Sequence, residues 1–252
     1  MSDAVSDALI ALAVGLAACV QATAGMGFAL VLSPVLLVVL APTTAIALMT
    51  ALGLVLNLLV LLNRTGSPHV VWEEVRPMLI AAIPGSICGL LVLRSLPKPA
   101  LEIGVGVVVV ALTLVRLRPR PVRVSAATDR AQPVRLTVGA LSGALSTAIG
   151  VNGPPLAMWL ASRRLGFDAI RDSLAALFLG MGAITALTLI PTLGDVHLGA
   201  LVAGCCLVGV LAGNALGSRL HPRIGPRRLE RLLSVIILAS GLSAVVFGLV
   251  AL

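Results

Sequence analysis

The sequence contains no tyrosine, and aromatic residues make up only 2% of it. A transmembrane β-barrel needs alternating strands and an aromatic girdle at each interface, so that architecture is excluded. Charge is scarce as well, at 11%, and no charged residue occurs between Ala8 and Asn63. The four cysteines, Cys19, Cys88, Cys205 and Cys206, lie in apolar stretches without metal or haem spacing. They imply neither disulfides nor a metal, and packing as small hydrophobes is the favoured reading. The parts of an intramembrane enzyme are missing too: there is no H-E-x-x-H, no acid pair at bilayer depth, and no histidine near Ser142 or Ser146 in the same segment. Nothing calls for a cofactor. Met1 to Asp7 holds two Asp and neither Lys nor Arg, so it lacks the basic start of a signal peptide, and the first apolar segment is expected to be retained.

What is present is apolar surface. Hydrophobic residues make up 59% of the 252-residue chain and the mean hydropathy is +1.11, more than a water-soluble domain can bury. The chain is therefore read as an all-α polytopic membrane protein. Apolar segments are expected at 8–24, 28–40, 44–62, 77–93, 100–117, 134–149, 154–163, 170–190, 196–217 and 230–251. The segments at 28–40 and 154–163 rise only about 15–20 Å, too short for a hydrocarbon core of about 30 Å. They read as half-helices.

The net charge of +8 does not signal nucleic acid, because the Lys and Arg residues fall in joints between apolar segments. If each half crosses the membrane an odd number of times, all of the 18 Lys and Arg except Arg94 and Lys98 land on one side. An eight-span arrangement divides them far more evenly, which the positive-inside rule disfavours. Both termini are thus expected outside. The domain reading is a first transmembrane repeat at 1–118, a basic cytoplasmic linker at 119–133 and a second, inverted repeat at 134–252. Each repeat would hold a broken or re-entrant helix pair plus three full spans, giving eight to ten membrane segments.

Weak internal similarity about 125 residues apart supports that division. Gln21-Ala22-Thr23-Ala24-Gly25-Met26-Gly27 echoes Ser146-Thr147-Ala148-Ile149-Gly150-Val151-Asn152-Gly153, and Arg94-Ser95-Leu96-Pro97 echoes Arg219-Leu220-His221-Pro222. An inverted repeat with a broken helix in each half is the pattern of a secondary transporter. Backbone broken at membrane depth is tolerated where it lines a cavity or meets a ligand, so the two breaks mark the site. Pro154 suits the first position of a helix. Half-helices starting near Phe28 and Pro154 would present partly positive ends to the midplane, which suits an anion.

Isolated polar residues are weighed differently from clustered ones. Ser33, Ser142 and Asn57 read as structural. Clustering at the breaks favours Gln21, Thr23, Thr147 and Asn152 as site residues. Gly85/Gly89 and Gly209/Gly213 fit small-x-x-x-small packing, and Asn214 suits either role. Proton relays place an acid or histidine inside a span, and none is expected here: Glu102, Asp168, Asp172 and Asp195 read as solvated span ends, and His69, His197 and His221 lie in or beside loops. Trp72 reads as an interfacial anchor.

Two motifs carry a family resemblance across nearly the whole chain. Gln21-Ala-Thr-Ala-Gly-Met-Gly-Phe-Ala-Leu-Val-Leu-Ser-Pro34 and Gly139-Ala-Leu-Ser-Gly-Ala-Leu-Ser-Thr-Ala-Ile-Gly-Val-Asn-Gly-Pro-Pro155 resemble the paired glycine-rich motifs of the TauE/SafE sulfite exporter family. The resemblance implies an exporter of sulfite, thiosulfate or organosulfonates in the bacterial inner membrane, whose partners are a small sulfur-containing anion and the lipid bilayer. It implies binding residues Gln21, Thr23, Gly25 and Gly27 in the first motif. In the second they are Thr147, Gly150, Asn152, Gly153 and Pro154. The family's glycine run is reduced here to Gly25 and Gly27, so the second half is expected to dominate binding. A drug/metabolite-type carrier of neutral or cationic solutes and a passive anion channel are the competing readings. A homo-oligomer is compatible with the sequence but not indicated by it.

Overall fold

The structure is a computed structural model that describes residues 3–63, 67–101, 131–163, 165–195 and 200–220, with isolated helical positions between 103 and 111. Among the described residues the regular structure is entirely helical. The helices are α1 (Asp3–Ala24), α2 (Phe28–Val39), α3 (Pro42–Leu62), α4 (Trp72–Ser95), α5 (Ala131–Ile149), α6 (Gly153–Ser162), α7 (Phe167–Leu189) and α8 (Ala200–Leu220). Among the described residues four stretches are long and apolar enough to cross a membrane: Pro42–Leu62, Trp72–Ser95, Asp168–Thr192 and Val202–Leu220. The expected segment 230–251 and most of the expected linker lie outside the described residues, as do most of 100–117.

Local chemistry explains the boundaries. Pro42 opens α3 and Pro154 lies in the first turn of α6, where a missing N–H is no loss. Helix α4 begins five residues before the expected 77, with Glu73 and Glu74 in its first turn and Arg94 in its last, both favourable to the helix dipole. It also runs through Pro77 and Pro84. Pro77 cannot donate to the carbonyl of Glu73, and Arg135 Nη1 donates there instead at 3.0 Å. The freed backbone group is thereby satisfied from a neighbouring helix.

Two helix pairs pack most extensively, α4 against α5 and α1 against α8. Both are glycine interlocks. Gly85 and Gly89 lie against the Ala140 and Ala144 carbonyls, while Gly139 and Gly143 lie against Met78 and Ala82. Gly213 and Gly217 meet the backbone of Gly15 and Cys19 in the same way. Such contacts bring two backbones together where lipid supplies no hydrophobic drive for association. Helices α2, α3, α6 and α7 lie between these pairs, and the outward faces carry exposed apolar residues such as Leu12, Ile80, Ile87, Leu91, Val208 and Leu211.

The expectation of solvated acids fails at Asp172, and a second acid, not weighed from the sequence, is buried as well. Asp172 is 1% exposed and its Oδ2 accepts the His69 backbone N–H at 2.7 Å, while the adjacent Ser173 hydroxyl accepts from Val71 N–H at 2.9 Å. Glu74 is 5% exposed. The early start of α4 and the close pinning of 67–71 onto α7 bring both carboxylates under cover. Trp72 is half exposed at the start of α4, with the Arg76 guanidinium 5.8 Å from its ring centroid.

Candidate functional site

The breaks in the two halves are built alike. At the first, Gly25 N–H closes the end of α1 onto the Gln21 carbonyl at 2.7 Å, and Gly25 has φ +77°. At the second, Gly150 N–H closes α5 onto the Ser146 carbonyl at 3.0 Å, with φ +74°. Both need the left-handed region, which only glycine enters without steric cost. Three residues beyond each glycine the chain re-enters a helix, at α2 and α6.

The ends of α2 and α6 meet in one cavity of about 60 Å³. On the same measure a single water needs roughly 10–15 Å³, so the space takes a small polyatomic ion. Its wall is formed by Gln21 from α1, Gly27 to Leu30 from the first break and α2, and Met49, Thr50, Gly53, Leu54 and Asn57 from α3. The second half contributes Ser146, Gly150, Asn152, Gly153, Phe178 and Gly182. No charged residue lines it among the described residues. Several wall residues form pairs: Gln21 with Ser146, Gly27 with Asn152, Phe28 with Gly153, Gly53 with Phe178 and Asn57 with Gly182, each 125 positions apart as 21 is from 146. Where one half supplies an asparagine, the other supplies glycine.

A directional hydrogen-bond chain runs along the first-half wall. Phe28 N–H donates to Gln21 Oε1 at 3.1 Å, Gln21 Nε2 donates to Asn57 Oδ1 at 2.7 Å, and Asn57 Nδ2 donates to the Gly53 carbonyl at 2.7 Å. The ends of the chain fix both amide orientations, because a backbone N–H can only donate and a backbone carbonyl can only accept. Each amide therefore has one further N–H to offer. On the opposite wall Asn152 Nδ2 donates to Ser146 Oγ at 3.3 Å, and Ser146 shares a hydrogen bond with Thr185 Oγ1 at 2.9 Å. Thr147 Oγ1 is 3.4 Å from the same Thr185 oxygen.

Of the residues expected at the site, Gln21, Gly27, Gly150, Asn152 and Gly153 are brought together on this wall. The others are placed elsewhere. Thr23 donates to the Cys19 carbonyl at 2.6 Å, Gly25 packs under Arg171, Thr147 sits behind Ser146, and Pro154 is buried in the first turn of α6. Asn57, read from sequence as structural, lines the cavity; Ser33 instead caps the Ile149 carbonyl at 2.9 Å. Ser142 Oγ is buried without a hydrogen-bond partner and away from the cavity wall. Thr185 had no signal in the sequence, because its partners lie 38 and 39 positions away.

The outer ends of the half-helices are matched electrostatically. Lys98 Nζ donates to the Val38 carbonyl at the end of α2 at 3.2 Å, and Arg163 lies at the end of α6. Cations there complement the negative pole of each dipole while the positive poles face the cavity. We expect Thr185→Val to weaken anion binding about five-fold, the roughly 1 kcal/mol of one hydrogen bond, because Ser146 loses its fixed partner. Titration of ligand against the purified variant checks this, and unchanged affinity would remove Thr185 from the site's support.

Short broken helices meeting at a donor-lined cavity, inside a bundle of apolar helices, fit a multi-pass membrane protein. The chain belongs to the Sulfite exporter TauE/SafE family, whose model matches residues 10–244. At the level of that family it is a membrane exporter of sulfite or related sulfur anions. No curated protein and no solved structure matches the chain.

Proposed function

We propose that the chain exports a compact sulfur oxyanion, sulfite or thiosulfate, bound in the cavity between the N-terminal ends of α2 and α6. The observation that carries this reading is the fixed polarity of the Phe28–Gln21–Asn57–Gly53 chain. It commits both amides to present N–H rather than C=O groups to a ligand, and among the described residues no carboxylate lines the wall to attract a cation. Neutral donors take over the hydration of an anion without trapping it, as turnover requires. Larger organosulfonates such as sulfoacetate need the cavity to open further.

The two halves act as inverted repeats of eight to ten membrane segments, and access alternates about the cavity between them. Helix packing favours this reading: the pair α1–α8, which joins the two halves, corresponds to the pair α5–α4, which also joins them, and α1–α2 in the first half corresponds to α5–α6 in the second. The Arg-rich joints face the cytoplasm, both termini lie outside, and the protein resides in the bacterial inner membrane. Gln21, Gly27, Asn152 and Gly153 contact the anion. Gly25, Gly150 and Pro154 shape the breaks, and Thr23 and Thr147 brace them.

Thermal stability of the purified protein in detergent tests the reading. Sulfite or thiosulfate at 100 times its dissociation constant is expected to add about 2.7 kcal/mol. Taurine, chloride and cationic drugs should add far less. Stabilisation by cationic or neutral solutes alone would overturn the anion assignment in favour of a drug/metabolite-type carrier.

A further inference from the structure

At the outer end of α6, away from the cavity, one buried carboxylate is shared by two guanidinium groups. Glu74 Oε1 accepts from Arg163 Nε at 2.8 Å, Oε2 accepts from the Trp159 indole N–H at 2.8 Å, and Arg135 Nη1 lies 3.8 Å from Oε2. The Arg163 guanidinium also stacks over the Trp159 ring, 5.4 Å from its centroid. A single arginine–carboxylate pair would be neutral. Among the described residues this group has one cation in excess, and Arg135 Nε and Arg163 Nη1 are buried without a hydrogen-bond partner. Unmatched positive charge and unmatched N–H donors in one place are what a second oxyanion satisfies, and the planar guanidinium fork fits such ions in pairs of bonds.

The placement gives the cluster a mechanical meaning. Glu74 is on α4, Arg135 on α5, and Trp159 and Arg163 are at the end of half-helix α6. Helices α4 and α5 are locked together by glycine contacts whatever Glu74 does. Glu74 therefore ties α6, whose other end lines the cavity, to that fixed pair.

We propose that Arg135, Arg163 and Trp159 form a second oxyanion-binding station, in which the Glu74 carboxylate is a tethered competing ligand. An arriving oxyanion takes over the guanidinium and indole donors, Glu74 turns away, and α6 is released from α4. No bond is made or broken; the step is an exchange of one anionic ligand for another. The station rests on the proposed anion cavity only for the identity of the ion it receives.

The test counts radiolabelled sulfite bound at equilibrium to the full chain, purified in a neutral maltoside detergent. The wild type is expected to saturate with one tightly held ion, and Glu74→Gln with two. The added ion disappears in Glu74→Gln/Arg163→Gln and weakens in Glu74→Gln/Arg163→Lys, which keeps the charge but loses the fork. A Glu74→Gln protein that retains the cavity ion, and is thus folded, yet takes no second ion overturns the proposal. Adding Gln21→Glu separates the two sites. If both ions survive it, the cavity assignment fails and the station stands; if only the cavity ion is ever present, the station fails and the cavity stands. Retention of phospholipid by Glu74→Gln, with no added sulfite bound, assigns the cluster to a lipid phosphate and overturns the soluble-ion form. Should Glu74→Gln not fold, the wild type titrated to high sulfite must show a second ion, roughly ten-fold or more weaker, that Arg163→Lys abolishes.

Discussion

Replacing Gln21 with glutamate is expected to lower affinity for sulfite about a thousand-fold and to abolish export, with little change in the shape of the side chain. Gln21 accepts from Phe28 N–H and donates to Asn57. Glutamate keeps the first bond and loses the second, so Asn57 must give up either its contact with residue 21 or its contact with the Gly53 carbonyl. Charge matters more than this lost bond. Two unit negative charges about 4 Å apart repel by roughly 4 kcal/mol at an effective dielectric constant of 20, close to three orders of magnitude. Gln21→Met removes the donor without adding charge and should cost only about ten-fold, in line with one hydrogen bond to a charged group. Equilibrium binding of sulfite to the two variants decides the matter. If Gln21→Glu binds sulfite as the wild type does, the ion does not sit beside Gln21.

The second large effect is expected in folding. A methyl group at Gly85 or Gly89 would be driven into the Ala140 or Ala144 carbonyl of α5, which is backbone and cannot swing aside. Gly85→Ala/Gly89→Ala should therefore force α4 and α5 apart and cost about 3 kcal/mol or more, seen as a large fall in melting temperature in detergent or loss of monodisperse protein. Gly204 supplies the control: it lies on α8, exposed, with nothing within 4 Å of where a Cβ would stand. Gly204→Ala removes a helix-disfavouring glycine and should be neutral or stabilising by up to about 1 kcal/mol. Equal behaviour of the two variants would mean that the α4–α5 interlock does not govern stability.

The contrast between these glycines also shows what the sequence made legible. The break at Gly25-Met26-Gly27 and the Gly153-Pro154-Pro155 run punctuate long apolar stretches, and residues that cannot continue a helix are visible one position at a time. The half-helices at 28–39 and 153–162 were readable to within a residue for that reason. The small-x-x-x-small spacing of Gly85 and Gly89 likewise marked a packing face, though not its partner.

Long-range pairing was harder to read. Asn57 looked isolated because Gln21 lies 36 positions away, and only the fold shows that the two amides form one chain. Glu74 escaped notice because its partners at 135, 159 and 163 come from two other helices. Asp172 was misjudged by its place near the start of a span; the segment at 67–71, which covers it, carries no hydrophobic periodicity from which its position could be inferred. A polar residue near the end of a membrane helix is exposed or buried according to what a loop does, and loop placement is not periodic.

The α1–α8 interlock has a consequence for how the protein is made. Helix α1 is the first described helix to leave the ribosome, and its glycine-lined partner begins only at Ala200. At about 5–20 residues per second, synthesis of the intervening chain takes roughly 10–35 s. Throughout that interval the Gly15–Cys19 face of α1 has no mate and must wait in the bilayer, where a neighbouring nascent chain with a similar small-residue face competes for it. Helices α4 and α5, separated by a much shorter stretch, meet early. Biogenesis is thus ordered from the middle of the chain outward, and shortening the polypeptide after α7 should leave α1 permanently exposed to membrane quality control.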